Sequence, residues 1–291
     1  MVAAMGGVDR TAEAAGAVSL GGELEVRRMG FGAMRITGEG IWGDPPNPEA
    51  ARGVVRRAVE LGVNFIDTAD SYGPEISERL IAEALHPYPD GVVIATKGGF
   101  TRPGRSQWEV DGRPEHLREA CEGSLRRLRL DAIDVYQLHR VDPRVDLEDS
   151  VGALAELRDE GKIRHVGLSN VDEAQLERAR GIVPIVSVQN RYNVAERDSE
   201  PLVDLCARDG LAFIPYFPLV AGWVDEHGGP WERVARAHGA TSAQIALAWL
   251  LHRSPAMLPI PGTSSVSHLE EDVAAASIRL SDDEFASLDA T

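Results

Sequence analysis

A single (β/α)8 barrel, the TIM-barrel fold, is what this sequence predicts, and three observations predict it. Short runs that are β-branched and apolar on both faces alternate with amphipathic stretches about eight times, as in a buried parallel sheet wrapped by helices. No composition break or linker divides the 291 residues, a length that suits one large barrel. The first strand–helix turn, Gly30-Phe31-Gly32-Ala33-Met34-Arg35, does not complete the GxGxxG pattern of an open dinucleotide-binding sheet.

The elements follow in order. Strands are expected at Leu24–Phe31 (partly a hairpin near the entrance), Asn64–Thr68, Val92–Lys97 and Ile133–His139, then at His165–Ser169, Ile185–Gln189, Ala212–Pro215 and Met257–Ile260. Helices are expected at Pro48–Leu61, Ser77–Leu85, Pro114–Leu128, Leu147–Glu160, Asp172–Arg180 and Ser199–Arg208. An extra pair, Pro230–His238 and Ser242–His252, precedes the last strand, and Val266–Ala275 follows it. Pro48 and Pro114 sit where a first-turn proline costs nothing, and Gly62, Gly161 and Gly210 follow last turns, where a left-handed residue is wanted. Ser267 with Glu270 reads as a capping box. The domain is expected to span 18–291, after a disordered tail at 1–17.

Composition narrows the function. Hydrophobic residues at 43% allow a sizeable core, and 46 acidic against 30 basic residues give a net charge of −16. That balance repels phosphate backbones and anionic bilayers, so neither nucleic acid nor membrane is the expected partner. Cys121 and Cys206 lack any CxxC or Cys/His ligand spacing and read as buried free thiols of a cytoplasmic protein, with no metal site. The opening stretch has no basic start or continuous apolar core, so no signal peptide is expected. Lys97 and Lys162 are the only lysines, which leaves 28 of the 30 basic residues as arginine. A lysine at the end of an apolar strand therefore asks for a reason of its own.

Catalysis in a barrel sits at the C-terminal ends of strands. There the sequence places Asp67, with Tyr72 five residues later, then Lys97, then His139. Each has a plain reading alone: a cap, a rim aromatic, a snorkelling cation, a core histidine. Together they make chemical sense. A phenol near pKa 10 is a poor proton donor or acceptor at neutral pH until its ionised form is stabilised, and an adjacent buried ammonium does that. The ammonium needs a carboxylate partner, which Asp67 offers. A neutral imidazole at His139 suits the orientation of a carbonyl oxygen. Lysine fits this role better than arginine, because a compact point charge sits near one oxygen where a planar fork does not.

In this order and on these strands, Asp67, Tyr72, Lys97 and His139 resemble the catalytic tetrad of the aldo-keto reductase superfamily. Phe65-Ile66-Asp67-Thr68-Ala69-Asp70-Ser71-Tyr72-Gly73 resembles that family's first signature, and the likeness runs from about Leu24 to the C-terminus. It implies NAD(P)H-dependent reduction of aldehydes or ketones to alcohols, with Tyr72 as general acid/base. It further implies that Ser169, Asn170 and Gln189 hold the nicotinamide carboxamide, whose donors and acceptors such side chains match, and that Tyr216, with Phe217 and Leu219, covers the ring. Without the family, Asn170 reads as an N-cap and Tyr216 as packing.

The stretch from Ile260 through Gly262, Thr263, Ser264, His268 and Glu271 to Asp272 resembles the site for the adenosine phosphates, a helix N-terminus with clustered hydroxyls. Many members carry lysine where Gly262 stands, arginine where His268 stands and asparagine where Asp272 stands. NADP(H) is the implied cofactor, with NAD(H) also admitted. Trp42, Trp108 and Trp223 fall in loops on the expected top face, and Trp42 and Trp108 are candidate walls for a small carbonyl substrate. Trp231 and Trp249 fall on helical faces and read as core. A monomer or small homo-oligomer is expected. The competing readings are a cofactor-sensing binding subunit with little turnover, and an unrelated phosphate-binding barrel using Lys97 as a Schiff-base amine.

Overall fold

The computed structural model describes residues 11–219 and 229–290. A 3-10 turn at Ala12–Ala15 comes first, with Ala12 fully buried. Strands β1 (Ala17–Leu20) and β2 (Leu24–Arg27) then form an antiparallel hairpin. Its Leu20 and Val26 pack against Phe65, Val93, Val135 and Ala212, the early inward residues of the barrel strands, and plug the barrel floor. The expected strand Leu24–Phe31 is thus two elements. The chain turns after Arg27, and β3 (Phe31–Gly32) enters the barrel wall separately. Gly30 permits that turn: a Cβ there would lie 3.0 Å from Ile260 and 3.1 Å from Phe65.

The wall continues with β4 (Phe65–Asp67) and β5 (Val93–Gly98), and a second hairpin follows as β6 (Phe100–Gly104) and β7 (Gln107–Val110). Next come β8 (Ile133–Leu138), β9 (Ile163–Ser169), β10 (Ile185–Arg191) and β11 (Ala212–Tyr216). The parallel ladder runs β3-β4-β5-β8-β9-β10-β11, in chain order, as a barrel requires. It covers seven strands and stops short of closure. The expected eighth strand, Met257–Ile260, forms only an isolated bridge to Phe213. Pro259 and Pro261 explain this, since neither has an N–H to give a ladder. The segment still bonds both neighbours: Leu258 N donates to Phe213 O at 2.9 Å, while Gly30 N and Gly32 N donate to Pro259 O and Pro261 O at 2.9 and 3.0 Å.

Helices wrap the outside: α1 (Pro48–Glu60), α2 (Ile76–Leu85), α3 (Pro114–Leu128), α4 (Leu147–Asp159), α5 (Glu173–Arg180) and α6 (Glu200–Asp209). They continue as α7 (Pro230–His238), α8 (Ser242–Arg253), α9 (Val266–Ala274) and α10 (Asp282–Asp289). Pro48 and Pro114 occupy first-turn positions, and Gly62, Gly161 and Gly210 take positive φ of 83°, 74° and 71°. The cap of α9 differs from expectation. Ser265, not Ser267, accepts the His268 N–H, because the helix starts two residues earlier than the capping-box reading placed it. Helix α10 and the β6–β7 hairpin were not foreseen. Trp231 and Trp249 are fully buried in the outer core, and burial pushes the thiols of Cys121 and Cys206 up to about 12. Among the described residues no helix is long and apolar enough to cross a membrane.

Candidate active site

Period-two alternation decides which side chains face the barrel axis. In β4 and β5, Phe65, Val93 and Ala95 belong to the inner core while Ile66 and Ile94 belong to the outer one. Asp67 and Lys97, at the next inward positions, therefore point into the barrel mouth. In β8, Val135 is inward and Tyr136 outward, which puts Gln137 inward. Gly167, the register partner of Gln137, leaves it room: a Cβ there would lie 2.9 Å from the Gln137 side chain and 2.5 Å from Ser187 Oγ.

At the top of this stack, Lys97 Nζ is fully buried. It donates to Asp67 Oδ2 at 2.7 Å, to Thr68 O at 2.8 Å and to Tyr72 OH at 3.4 Å. Asp67 Oδ1 accepts from Gln189 Nε2 at 2.8 Å and from Gln137 Nε2 at 3.2 Å. Three hydrogen bonds thus reach the carboxylate, which helps a buried ion pair to survive. His139 packs edge-on to Tyr72, ring centroids 5.9 Å apart, and its Nδ1 lies 3.5 Å from Ser71 Oγ.

The charges follow from these surroundings. Burial pulls the Lys97 ammonium down, but Asp67 and Tyr72 outweigh it and hold its pKa above the ordinary lysine value. Burial likewise dominates at Tyr72, pushing the phenol above 10 although Lys97 opposes it. The expectation that Lys97 lowers this phenol is met in sign and exceeded by desolvation. Burial, reinforced by Lys97 and Arg140, holds His139 well below the ordinary histidine value. At neutral pH the mouth therefore presents a neutral phenol, a neutral imidazole and a charged, paired ammonium. An ammonium kept charged is a poor nucleophile, which argues against a Schiff-base amine.

A cavity of about 410 Å³ opens above these groups, walled by Asp67, Tyr72 and His139 together with Phe100 and Trp108. Of the expected cofactor residues, Ser169, Asn170, Gln189, Tyr216, Phe217, Leu219 and Gly262 line it. Asn170 takes a left-handed φ of 57° and is not a helix cap; Asp172 caps α5 instead. Its Nδ2 donates to Ser169 Oγ and His139 O at 3.0 Å, and its Oδ1 accepts from Tyr216 OH at 2.7 Å. Thr263 and Ser264 line an adjoining trough of about 350 Å³ that shares Met34, Arg35, Ile41 and Gly262 with the first.

Other expected residues lie elsewhere. His268, Glu271 and Asp272, on α9, wall neither cavity. Glu271 accepts from Thr241 Oγ1 at 2.7 Å, and burial with the Glu271 charge raises Asp272 to about 7. Trp42 is off the wall too; its neighbour Ile41 takes that place, because the Trp42 ring turns toward Arg102. Trp223 lies outside the described residues. Sequence reasoning missed Gln137, Phe100 and Arg140. Gln137 carried a usable signal, an amide in an apolar strand two residues before His139 and hence on the same face. Phe100, which opens β6, and Arg140, in the loop after β8, carried none, since neither lies in a run long enough to show a period.

A model described as the aldo/keto reductase family matches residues 28–291. An uncharacterized oxidoreductase of Schizosaccharomyces pombe is 49% identical over 278 residues, 96% of this chain and 90% of that protein. Pyridoxine 4-dehydrogenase of Escherichia coli is 43% identical over 274 residues, covering 92% and 96% of the two chains. Among solved structures, an aldo/keto reductase of Klebsiella pneumoniae in complex with NADP and acetate is 29% identical, with a TM-score of 0.79 over 94% of each chain.

Proposed function

The chain belongs to the aldo/keto reductase family and is an oxidoreductase, and from that premise we propose that it reduces a small aldehyde or ketone to the alcohol, with Tyr72 donating the proton. One observation carries this reading: Lys97 Nζ holds Asp67 Oδ2 and Tyr72 OH at once, beside His139, on the wall of an open cavity. A phenol held neutral is a donor in the reductive direction. His139, held neutral, offers a ring nitrogen to the substrate carbonyl oxygen. Lys97 stabilises the phenolate left after the proton departs, and Asp67 with its two glutamine amides keeps Lys97 charged and in place. The reverse oxidation uses the same groups with Tyr72 as base.

The residues present fit a nicotinamide cofactor. Ser169, Asn170 and Gln189 offer the donors and acceptors a carboxamide needs, Tyr216 offers a ring face, and Thr263, Ser264 and the α9 N-terminus offer hydroxyls and backbone N–H groups to phosphates. NADPH, when bound, supplies the hydride. The Klebsiella neighbour crystallised with NADP supports this assignment. The stretch 262–272 has no lysine or arginine to grip a 2′-phosphate. NADPH is therefore expected to bind at most about tenfold more tightly than NADH, a difference of about 1.4 kcal/mol. Fluorescence quenching measures both constants, and a preference beyond a hundredfold contradicts the reading.

The pH profile tests the protonation states. Tyr72 must be protonated to donate, and its pKa is raised, so kcat/KM for reduction is lost only as pH rises through a value above 10. His139 titrates well below its ordinary value, so no acid limb arises from it near neutrality. A plateau from about pH 6 to 9 is expected. An acid limb centred near pH 6.5 refutes the neutral-imidazole role. The name of the 43% identical Escherichia coli relative makes pyridoxal, with pyridoxine for the reverse direction, the first substrate to try in a carbonyl panel.

A further inference from the structure

The wall of the cavity contains a tryptophan that stands on a hairpin with little of its own to hold it. Strands β6 and β7 form a separate two-stranded sheet, and such a ribbon is marginal in water without an anchor. Its pairing slips between Thr101 and Gly104, so Arg102 falls in the irregular stretch and its side chain is free of the ladder's alternation.

That guanidinium makes an unusual set of contacts. Nε donates to Gln107 O at 3.1 Å and Nη2 to Arg105 O at 2.7 Å, which pins the hairpin tip. Nη1 donates to Ser71 O at 2.9 Å, in the loop that carries Tyr72. Its flat face lies 3.7 Å from the Trp108 ring centroid, and the Trp42 ring centroid is 5.4 Å away. Trp42 in turn bridges to Gly73, one residue beyond Tyr72. Many surface arginines of this chain pair with carboxylates; Arg102 instead meets three carbonyls and two indoles. Trp108 then sets its ring edge-on to Tyr72 and Phe100, at 6.5 and 5.7 Å, and Phe100 meets His139 at 4.6 Å.

We infer that Arg102 is a positioning residue that clasps Trp108 against the Tyr72 loop and thereby sets a preference for flat aromatic carbonyl substrates. The physical reason is preorganisation. A large ring already fixed as a wall gains the full stacking and burial of a rigid aromatic ligand without a fresh ordering cost. A short aliphatic aldehyde has too little surface to gain from it. Lysine cannot replace Arg102, because three in-plane N–H directions and a stacking face are needed together.

The inference rests on the carbonyl-reductase reading, so the test separates the two. Wild type, Arg102→Lys, Arg102→Ala, Trp108→Ala and the Arg102→Ala/Trp108→Ala double variant are assayed with 4-nitrobenzaldehyde and with propanal, using NADPH. Selectivity, the ratio of the two kcat/KM values, is expected to fall about tenfold or more in both Arg102 variants, chiefly through KM for the aromatic aldehyde. In the Trp108→Ala background the Arg102→Ala change should move the ratio less than about twofold, because the two residues act as one unit. Equal losses for both aldehydes, additive effects in the cycle, or an unchanged ratio overturn the inference. If wild type reduces neither aldehyde, the functional reading falls instead. The clasp is then read from acrylamide quenching, which Arg102→Ala should increase only while Trp108 is present; no increase overturns it.

Discussion

Tyr72→Phe is expected to lower kcat for carbonyl reduction by about 10² to 10⁴-fold, the usual worth of a positioned general acid. Phenylalanine keeps the ring that packs edge-on to His139 and Trp108 and removes one oxygen. Lys97 loses only its longest bond, at 3.4 Å, and keeps Asp67 and Thr68 O, so the buried pair holds. The cavity residues assigned to the cofactor are untouched. NADPH affinity is accordingly expected to stay within about threefold of wild type, less than the energy of one ordinary hydrogen bond. Steady-state kinetics and fluorescence titration on one preparation check both halves. A variant that keeps a tenth of wild-type kcat removes Tyr72 from the role of proton donor.

Lys97→Met should be as damaging to turnover and, unlike the tyrosine change, damaging to the fold. Removing the ammonium leaves Asp67, 2% exposed, as a buried carboxylate with only the Gln137 and Gln189 amides. Stranding one member of such a pair costs about 3–5 kcal/mol. The double variant Asp67→Asn/Lys97→Met removes both charges and is expected to regain part of that stability while staying inactive. Urea unfolding of the two single variants and the double variant reads this directly. If Lys97→Met is as stable as wild type, water reaches Asp67 and the pair is not the dry ion pair described above.

Much of this site could be read from the chain because the barrel ties chemistry to strand ends. An acid, a lysine and a histidine closing successive apolar runs fall on one rim by period two alone, and Asp67, Lys97 and His139 do meet there. Gln137 obeys the same rule and was passed over, its amide unremarkable without knowing that Asp67 Oδ1 stands opposite. On α9, His268, Glu271 and Asp272 share a helix with the Ser265 cap, while Thr263 and Ser264, just ahead of it, line the trough.

Local sequence determined the order of the parallel strands and of the helices from α1 to α9, the buried tryptophans at 231 and 249, and the candidate acid, base and charge at the rim. Each of these follows from short-range periodicity, turn chemistry or the rarity of lysine. Tertiary structure alone decided the sign of the Tyr72 shift and the turning of Trp42 toward Arg102 instead of the cavity. Those outcomes depend on which distant groups share a desolvated volume, and no window of neighbouring residues contains that information.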